Sequence, residues 1–146
     1  MWLLFITYHK YTWAASAARK GAVMEYRFII PGRLDNLNDY ISAERSNRYK
    51  GAKMKSTNQN HAFQEACIQL GDIHIKKPVK MVYRWYEKDR RRDLDNISSF
   101  GRKVIQDALV EAGILPGDGW KYIKGFTDEF YVDKKYPRIE VTIIEL

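Results

Sequence analysis

The chain is 146 residues long, which allows one domain with a hydrophobic core and is too short for two independent ones. Hydrophobic residues make up 45% of it, but no stretch approaches the roughly 20 apolar residues that cross a bilayer, so we expect a soluble protein and not a membrane protein. The formal net charge of +7 favours an acidic partner.

The number and spacing of the cysteines and histidines limit the kinds of metal site or nucleophile that the chain can contain. Cys67 is the chain's single cysteine, which excludes an internal disulfide and fits a reducing cytoplasm. We expect its thiol to be buried and inert. The three histidines, His9, His61 and His74, lie far apart in sequence, which argues against a zinc site or a histidine-activated nucleophile. Carboxylates must therefore carry any chemistry.

Residues 1–23 differ in composition from the rest of the chain. The first part, to Trp13, is aromatic and apolar, and the second is small and basic. A secretory signal places its positive charge before the apolar run, so this order does not indicate a signal peptide. Met24 opens an alternating stretch that predicts a half-buried strand. We therefore expect an N-terminal extension over 1–23 and the functional domain over 24–146.

The predicted elements of the first half follow from turn signals and apolar spacing. Pro31-Gly32 predicts a turn after the first strand, and the Asp- and Asn-rich residues from 34 to 40 predict a helix start. Helix-forming residues continue to Leu70, and we expect two helices with the break at Gly51. Alternation over 79–86 then predicts a second strand.

The second half contains the strongest helical pattern. Apolar residues recur at helical spacing after Asn96, the expected cap, and Gly113 ends the run. A glycine-rich turn follows, and then strands over 123–132 and 138–146, which we expect to pair as a hairpin. These elements predict a single α+β domain with a mixed or antiparallel sheet flanked by helices.

A basic run, Arg90-Arg91-Arg92, ends in Asp93-Leu94-Asp95 between the second strand and the long helix. In an extended segment the two aspartates would point the same way while Leu94 turns towards the core. Adjacent carboxylates repel each other, and Mg²⁺ or Mn²⁺ relieves that repulsion. The arginines would attract a polyanion such as nucleic acid. The alternative is a solvated loop with balanced charges.

Three more charged residues lie beyond the motif. Asp118 occupies the glycine-rich turn after the helix, and a helix folded back on the sheet would return it towards Asp93 and Asp95. Lys103 and Asp107 are one helical turn apart, which equally predicts a surface ion pair. Asp118 taken alone is also an ordinary turn residue.

A second basic stretch, which includes Arg48 and Lys50, predicts either phosphate contacts or a solvated helix face. Four aromatic residues near strand-like positions are expected to pack in the core and not to stack on bases: Trp85, Trp120, Phe126 and Phe130.

In their order along the chain, several of these residues resemble the RusA family of Holliday junction resolvases. The resemblance covers roughly Asn38 to the C-terminus and is carried by Arg92-Asp93-Leu94-Asp95-Asn96, Lys103, Asp107-Ala108-Leu109, Ala112-Gly113 and Asp118. Asn38-Asp39-Tyr40 is also similar to a short motif near the start of that family's domain.

The resemblance implies a set of site residues. Asp93, Asp95 and Asp118 would be the metal-binding catalytic carboxylates, and Lys103 the essential lysine. In much of the family the lysine follows the Asp-Asn pair by about one helical turn. Here it comes eight positions after Asp95, which is about 12 Å along an ideal helix and roughly 80° around it. Gly117 stands where the family often has a further acid.

The resemblance further implies an Mg²⁺-dependent endodeoxyribonuclease, with Mn²⁺ as the alternative ion, that resolves four-way junctions in DNA recombination and repair. The family is dimeric, which fits two symmetric nicks in a two-fold substrate. A small single-domain nuclease also suits a phage or prophage. The alternatives are a basic module that binds nucleic acid without cutting it, and a nuclease for another branched DNA.

Overall fold

The computed structural model describes residues 3–8, 11–21 and 23–146, with the backbone alone described over strands 3–8 and 11–20. The elements in chain order are β1 (Leu3–Tyr8), β2 (Tyr11–Lys20), β3 (Val23–Pro31), α1 (Leu37–Ser46), α2 (Arg48–Leu70), β4 (Val79–Glu87), α3 (Leu94–Glu111), β5 (Ile123–Val132) and β6 (Arg138–Glu145). The predicted α+β class is confirmed.

The described strands form one mixed sheet in the order β1-β2-β3-β6-β4-β5. The β4 and β5 strands are parallel, and the other neighbouring strands are antiparallel. The predicted hairpin of β5 with β6 is wrong, because β4 lies between them. Parallel neighbours need a long crossover, and the 18-residue helix α3 provides it between β4 and β5.

The N-terminal strands continue the sheet beyond β3. The β2 strand pairs with β3 from Ala17 opposite Tyr26 to Lys20 opposite Val23, and β1 pairs with β2. The β3 strand begins at Val23, close to the expected start at Met24. The division into an extension over 1–23 and a domain over 24–146 stays a prediction.

Two asparagines set the boundaries of the first helices. Asn36 caps α1 by accepting a hydrogen bond from the Asp39 N–H at 2.8 Å, and Asn47 caps α2 by accepting one from the Tyr49 N–H at 2.8 Å. The predicted break at Gly51 is wrong, because the extended backbone of Asn47 already separates the helices. Gly51 lies inside α2, where an added Cβ would come within 2.3 Å of the Glu44 Cγ.

Helix α3 begins earlier than expected. Its N-cap is Asp93 and not Asn96, whose side-chain oxygen instead accepts a hydrogen bond from the Asn38 N–H at 2.8 Å. This bond ties the start of α1 to the first turn of α3. The helix ends, as predicted, before Gly113, which adopts a positive φ of 72°.

The core lies between the helices and one face of the sheet. Alternate residues of β4, including Met81, Tyr83 and Trp85, point into it against α3 residues such as Val104 and Ile105. The burial of Trp85 is as predicted, and Phe130 packs against the core.

Some sequence expectations about burial do not hold. The prediction that Trp120 packs in the core is wrong, because this residue is 94% exposed in the turn before β5. Phe126 is half-exposed, and Cys67 is only partly buried, so the expected buried thiol is also wrong. In the part of the chain that the structure describes, no helix is both long and apolar enough to cross a membrane.

Gly101 sets the distance between α3 and β4, and its substitution tests that packing. A Cβ at this position would lie 2.6 Å from Cη2 of the buried Trp85. We expect Gly101→Ala to destabilise the fold by about 1–3 kcal/mol through overpacking, despite the better helix propensity of alanine. Urea unfolding measures the change.

Gly125→Ala is the matched control, because an added Cβ there meets no heavy atom within 4 Å. A Gly101→Ala protein as stable as Gly125→Ala would contradict the close packing of α3 on Trp85.

Candidate active site

The N-terminus of α3 presents two carboxylates to solvent. Asp93 is the N-cap in extended conformation, and Asp95 lies in the first turn. Both residues are exposed, and Asp93 makes no side-chain capping hydrogen bond with the described residues. A helix N-terminus favours negative charge, which supports both acids at this position.

The segment that carries them is not extended as predicted. Leu94 begins the helix and is 56% exposed, so the expected alternation with Leu94 in the core is wrong. The apolar anchor of this turn is Ile97, which is buried one helical turn beyond Leu94. Asp93 and Asp95 reach the surface because they precede this buried stripe of the helix.

Lys103 lies on the same helix and contacts two other acids. Its Nζ is 2.7 Å from Oδ2 of Asp118 and 2.9 Å from Oδ1 of Asp107. The second oxygen of Asp107 is 3.2 Å from the Nζ of Lys55 on α2. These four residues form an alternating chain of charges, which we call the ion chain, from α2 across α3 to the glycine-rich turn.

The contacts in the ion chain shift the pKa values of Asp118 and Lys103. The hydrogen bond from Lys103 is the main cause that lowers the pKa of Asp118 below its usual range. Hydrogen bonds to Asp118 and then Asp107 raise the pKa of Lys103. At neutral pH the pair is therefore held as an ammonium and a carboxylate.

The predicted site residues thus fall into two pairs: Asp93 and Asp95 lie two positions apart at the start of α3, and Lys103 contacts Asp118. No group of three or more histidine, cysteine, aspartate or glutamate side chains in the described part of the chain is arranged to hold a metal ion. Lys103 comes eight positions after Asp95 on the helix, about 12 Å along the axis, and its ammonium contacts Asp118. The assignment of Asp118 as a third metal ligand stays a prediction.

The donor chemistry of the first pair suits a hard divalent cation. Mg²⁺ is commonly held by one or two carboxylates, with waters and substrate phosphate oxygens completing its coordination. Asp93 and Asp95 offer two such carboxylates, both accessible to solvent. The chemistry of these two donors therefore suits Mg²⁺.

The three arginines before the aspartates occupy different environments. Arg92 is largely buried, and its guanidinium donates to Oε1 of Glu87 at 2.7 Å and to the Leu34 carbonyl at 3.0 Å. Arg91 is exposed, with a long 3.6 Å contact to Asp89, and Arg90 is also exposed. Arg90 and Arg91 are therefore accessible to a polyanion, whereas Arg92 stabilises the fold.

The other predicted phosphate contacts, Arg48 and Lys50, lie in the first turn of α2 and are exposed. Tyr49 between them is 73% exposed. The side chains are accessible to a ligand, and their role in binding DNA stays a prediction.

Sequence reasoning missed a second cluster next to Lys103. Arg102 forms an ion pair with Asp128 of β5, and Asp128 also accepts a hydrogen bond from Nε1 of Trp85 at 2.9 Å. The Arg102 guanidinium lies 4.4 Å from the centre of the Phe126 ring. The available signal was the position of Asp128 between Phe126 and Phe130 on one face of β5, where a charge needs a partner.

Substitution of Arg92 and of Arg91 tests whether the two side chains differ in burial and in the strength of their ion pairs. We expect Arg92→Gln to destabilise the protein by about 3 kcal/mol, because the substitution removes the main partner of the buried Glu87 carboxylate. We expect Arg91→Gln to cost less than about 0.5 kcal/mol, because its ion pair is exposed. Guanidinium unfolding of both variants measures these effects, and equal destabilisation would contradict the assignment.

Lys103 also controls the titration of Asp118 in the metal-free protein. We expect Lys103→Met to raise the pKa of Asp118 towards its reference value of about 3.9. Because Lys103 holds the folded pKa below that value, their interaction stabilises the wild type above about pH 4 and is lost as the pH falls through the folded pKa.

Carboxyl ¹³C NMR follows this titration directly. Lys55→Met is the control, since Lys55 contacts Asp107 and not Asp118. An Asp118 pKa that is the same in Lys103→Met and the wild type would rule out the proposed pairing.

No curated protein matches the chain. The family model described as Endodeoxyribonuclease RusA matches residues 14–144, which include every residue of both pairs and of the ion chain. This match agrees with the resemblance carried by the Asp-Leu-Asp-Asn motif. The chain therefore belongs to the RusA family of endodeoxyribonucleases.

Proposed function

We propose that this chain is an Mg²⁺-dependent endodeoxyribonuclease that resolves Holliday junctions by paired symmetric nicks, in DNA recombination and repair. The observation that carries the proposal is the exposed Asp93–Asp95 pair at the start of α3, within the segment that matches the endodeoxyribonuclease family. Exposed paired acids beside basic residues suit phosphodiester chemistry better than a structural role.

Asp93 and Asp95 would hold the cation, Mg²⁺ or alternatively Mn²⁺, with Asp118 as the expected third ligand. When bound, the cation would lower the pKa of a coordinated water and stabilise the charge that develops on the phosphate. The two aspartates would hold the cation from their fixed places at the N-terminus of α3. Burial of Ile97 on the next turn keeps that terminus in place.

Lys103 would neutralise charge at the scissile phosphate. The Lys103 side chain is 57% exposed even though its ammonium contacts Asp118 and Asp107, so a phosphate oxygen can approach it from solvent. An ammonium held near the reacting phosphate stabilises the added negative charge of the transition state.

Exposed cations on two segments would hold the DNA backbone. Arg90 and Arg91 lie next to the aspartates, and Arg48 and Lys50 lie at the start of α2. Such contacts fix the orientation of the nucleic acid and make binding weaken as salt rises. Arg92 contributes indirectly by holding the turn that presents Asp93.

We infer that the active form is a homodimer in the cytoplasm. A four-way junction has two-fold symmetry, and productive resolution needs two symmetric cuts, so two copies related by a two-fold axis match the substrate.

A second candidate is a basic module that binds branched DNA without cutting it. What favours it is that one chain, in its described part, gathers no group of three metal-binding acids. In that case Asp118 would serve only as the partner of Lys103.

A synthetic four-way junction distinguishes these functions. We expect nicking by the wild type with Mg²⁺ and none with EDTA, and we expect Asp95→Asn to lower the rate by about a hundredfold or more. Junction binding should persist or tighten, because the substitution removes negative charge from a basic surface. Gel analysis of the strands and fluorescence anisotropy measure the two properties.

Asp72→Asn is the matched control, because Asp72 is exposed in the turn after α2 and lies outside the site. Metal-independent nicking would refute the Mg²⁺-dependent mechanism. Binding without any nicking by the wild type would refute the nuclease proposal and leave the binding module. Faster cleavage of flaps or forks than of junctions would assign another branched substrate.

A further inference from the structure

Asp107 is the central acid of the ion chain. Its side chain is 21% exposed, and each carboxylate oxygen contacts a different lysine, Oδ1 with Lys103 at 2.9 Å and Oδ2 with Lys55 at 3.2 Å. The two lysines come from different helices. Asp107 therefore joins α2 to the same lysine that contacts Asp118.

A lone lysine on a helix surface is a poor catalytic group, because its four-carbon stem samples many rotamers. Lys103 has two acceptors at hydrogen-bond distance, and they differ in how firmly they are placed. Asp118 lies in a glycine-rich turn, whereas Asp107 is on the same helix, one turn away from the lysine. Asp107 is the acceptor with the more fixed position relative to Lys103.

Lys55 adds a second constraint on Asp107. Because it contacts the oxygen that does not face Lys103, the carboxylate cannot rotate away without losing an ion pair. Each exposed pair is worth little by itself, about 0.3–0.5 kcal/mol for an i,i+4 pair. Their effect is on the orientation of Lys103 and not on the stability of the fold.

We propose that Asp107, held by Lys55, is a positioning residue that fixes the ammonium of Lys103 for its contact with the scissile phosphate. The inference deepens the proposed function and rests on it. When a phosphate oxygen competes with Asp118 for the ammonium, the bond to Asp107 keeps Lys103 in place. The contribution is one of orientation, for which small displacements have large effects on rate.

The experiment compares Asp107→Asn, Asp107→Glu and Glu111→Gln in the full chain. Glu111 is the matched control, since it lies one turn further along α3 and accepts a hydrogen bond from Gln59 of α2 at 2.8 Å, without contact to Lys103. The rate at saturating junction, the junction Kd and the melting temperature are measured for each. Thermal melting detects a merely structural role.

We expect Asp107→Asn to lower the saturated nicking rate about tenfold or more, with Kd and melting temperature near the wild-type values. Asp107→Glu should recover part of the rate, because it restores the charge one turn from Lys103. Glu111→Gln should nick like the wild type. In a Lys103→Gln background, Asp107→Asn should cause no further loss, because the two residues act through one ammonium.

A readout without DNA separates this inference from the proposed function. In ¹⁵N-lysine-labelled protein that also carries Asp118→Ala, Asp107 is the acceptor left to the Lys103 ammonium, so the hydrogen-bonded resonance should remain with Glu111→Gln and be lost with Asp107→Asn. Wild-type protein that does not nick would overturn the function. The positioning role is refuted if Asp107→Asn keeps the resonance, nicks like the wild type, or adds its loss to that of Lys103→Gln.

Discussion

The buried ion pair between Glu87 and Arg92 is the constraint on which the site depends. Glu87 ends β4 with a side chain that is only 7% exposed, and a buried carboxylate without a partner is strongly destabilising. Arg92 pairs with it and also donates to the Leu34 carbonyl, which links the end of β4 to the segment after β3. The four residues between Glu87 and Arg92 are thereby closed into a tight turn. Arg92 thus fixes the chain at the position that precedes Asp93, the N-cap of α3.

Helix α3 fixes the distance between the two aspartates at its start and Lys103 further along it. It carries Asp93 and Asp95 at its start and Lys103 about 12 Å further along, and its buried face packs against Trp85 where Gly101 permits close approach. The pair of acids and the ion chain are consequently two sites on one rigid element.

The parts of the fold that could be predicted from sequence are those with a local cause. Alternation predicted β4 over 79–86, and helical spacing identified α3, because each element shows its buried face in its own residues. Strand partners have no such local signal, so the β5–β6 hairpin was expected where the chain instead inserts β4. The predicted helix start at Asn96 is wrong for a related reason. Asparagine is as good a cap as aspartate, but the side-chain oxygen of Asn96 accepts a hydrogen bond from the N–H of Asn38, a residue 58 positions away.

In the site, too, the types of the residues could be predicted from sequence, but their contacts could not. Asp93, Asp95, Lys103 and Asp118 were identified by type and order, whereas their contacts depend on tertiary structure. Lys55 and Asp107 are 52 positions apart, and nothing in either local pattern indicates that they meet. Arg92 illustrates the consequence for function, because in sequence it is one of three equivalent arginines and in the fold it is committed to Glu87. Charge counted along the chain therefore overstates the charge available to DNA: Arg90 and Arg91 face solvent, and the third cation maintains the turn that presents the acids.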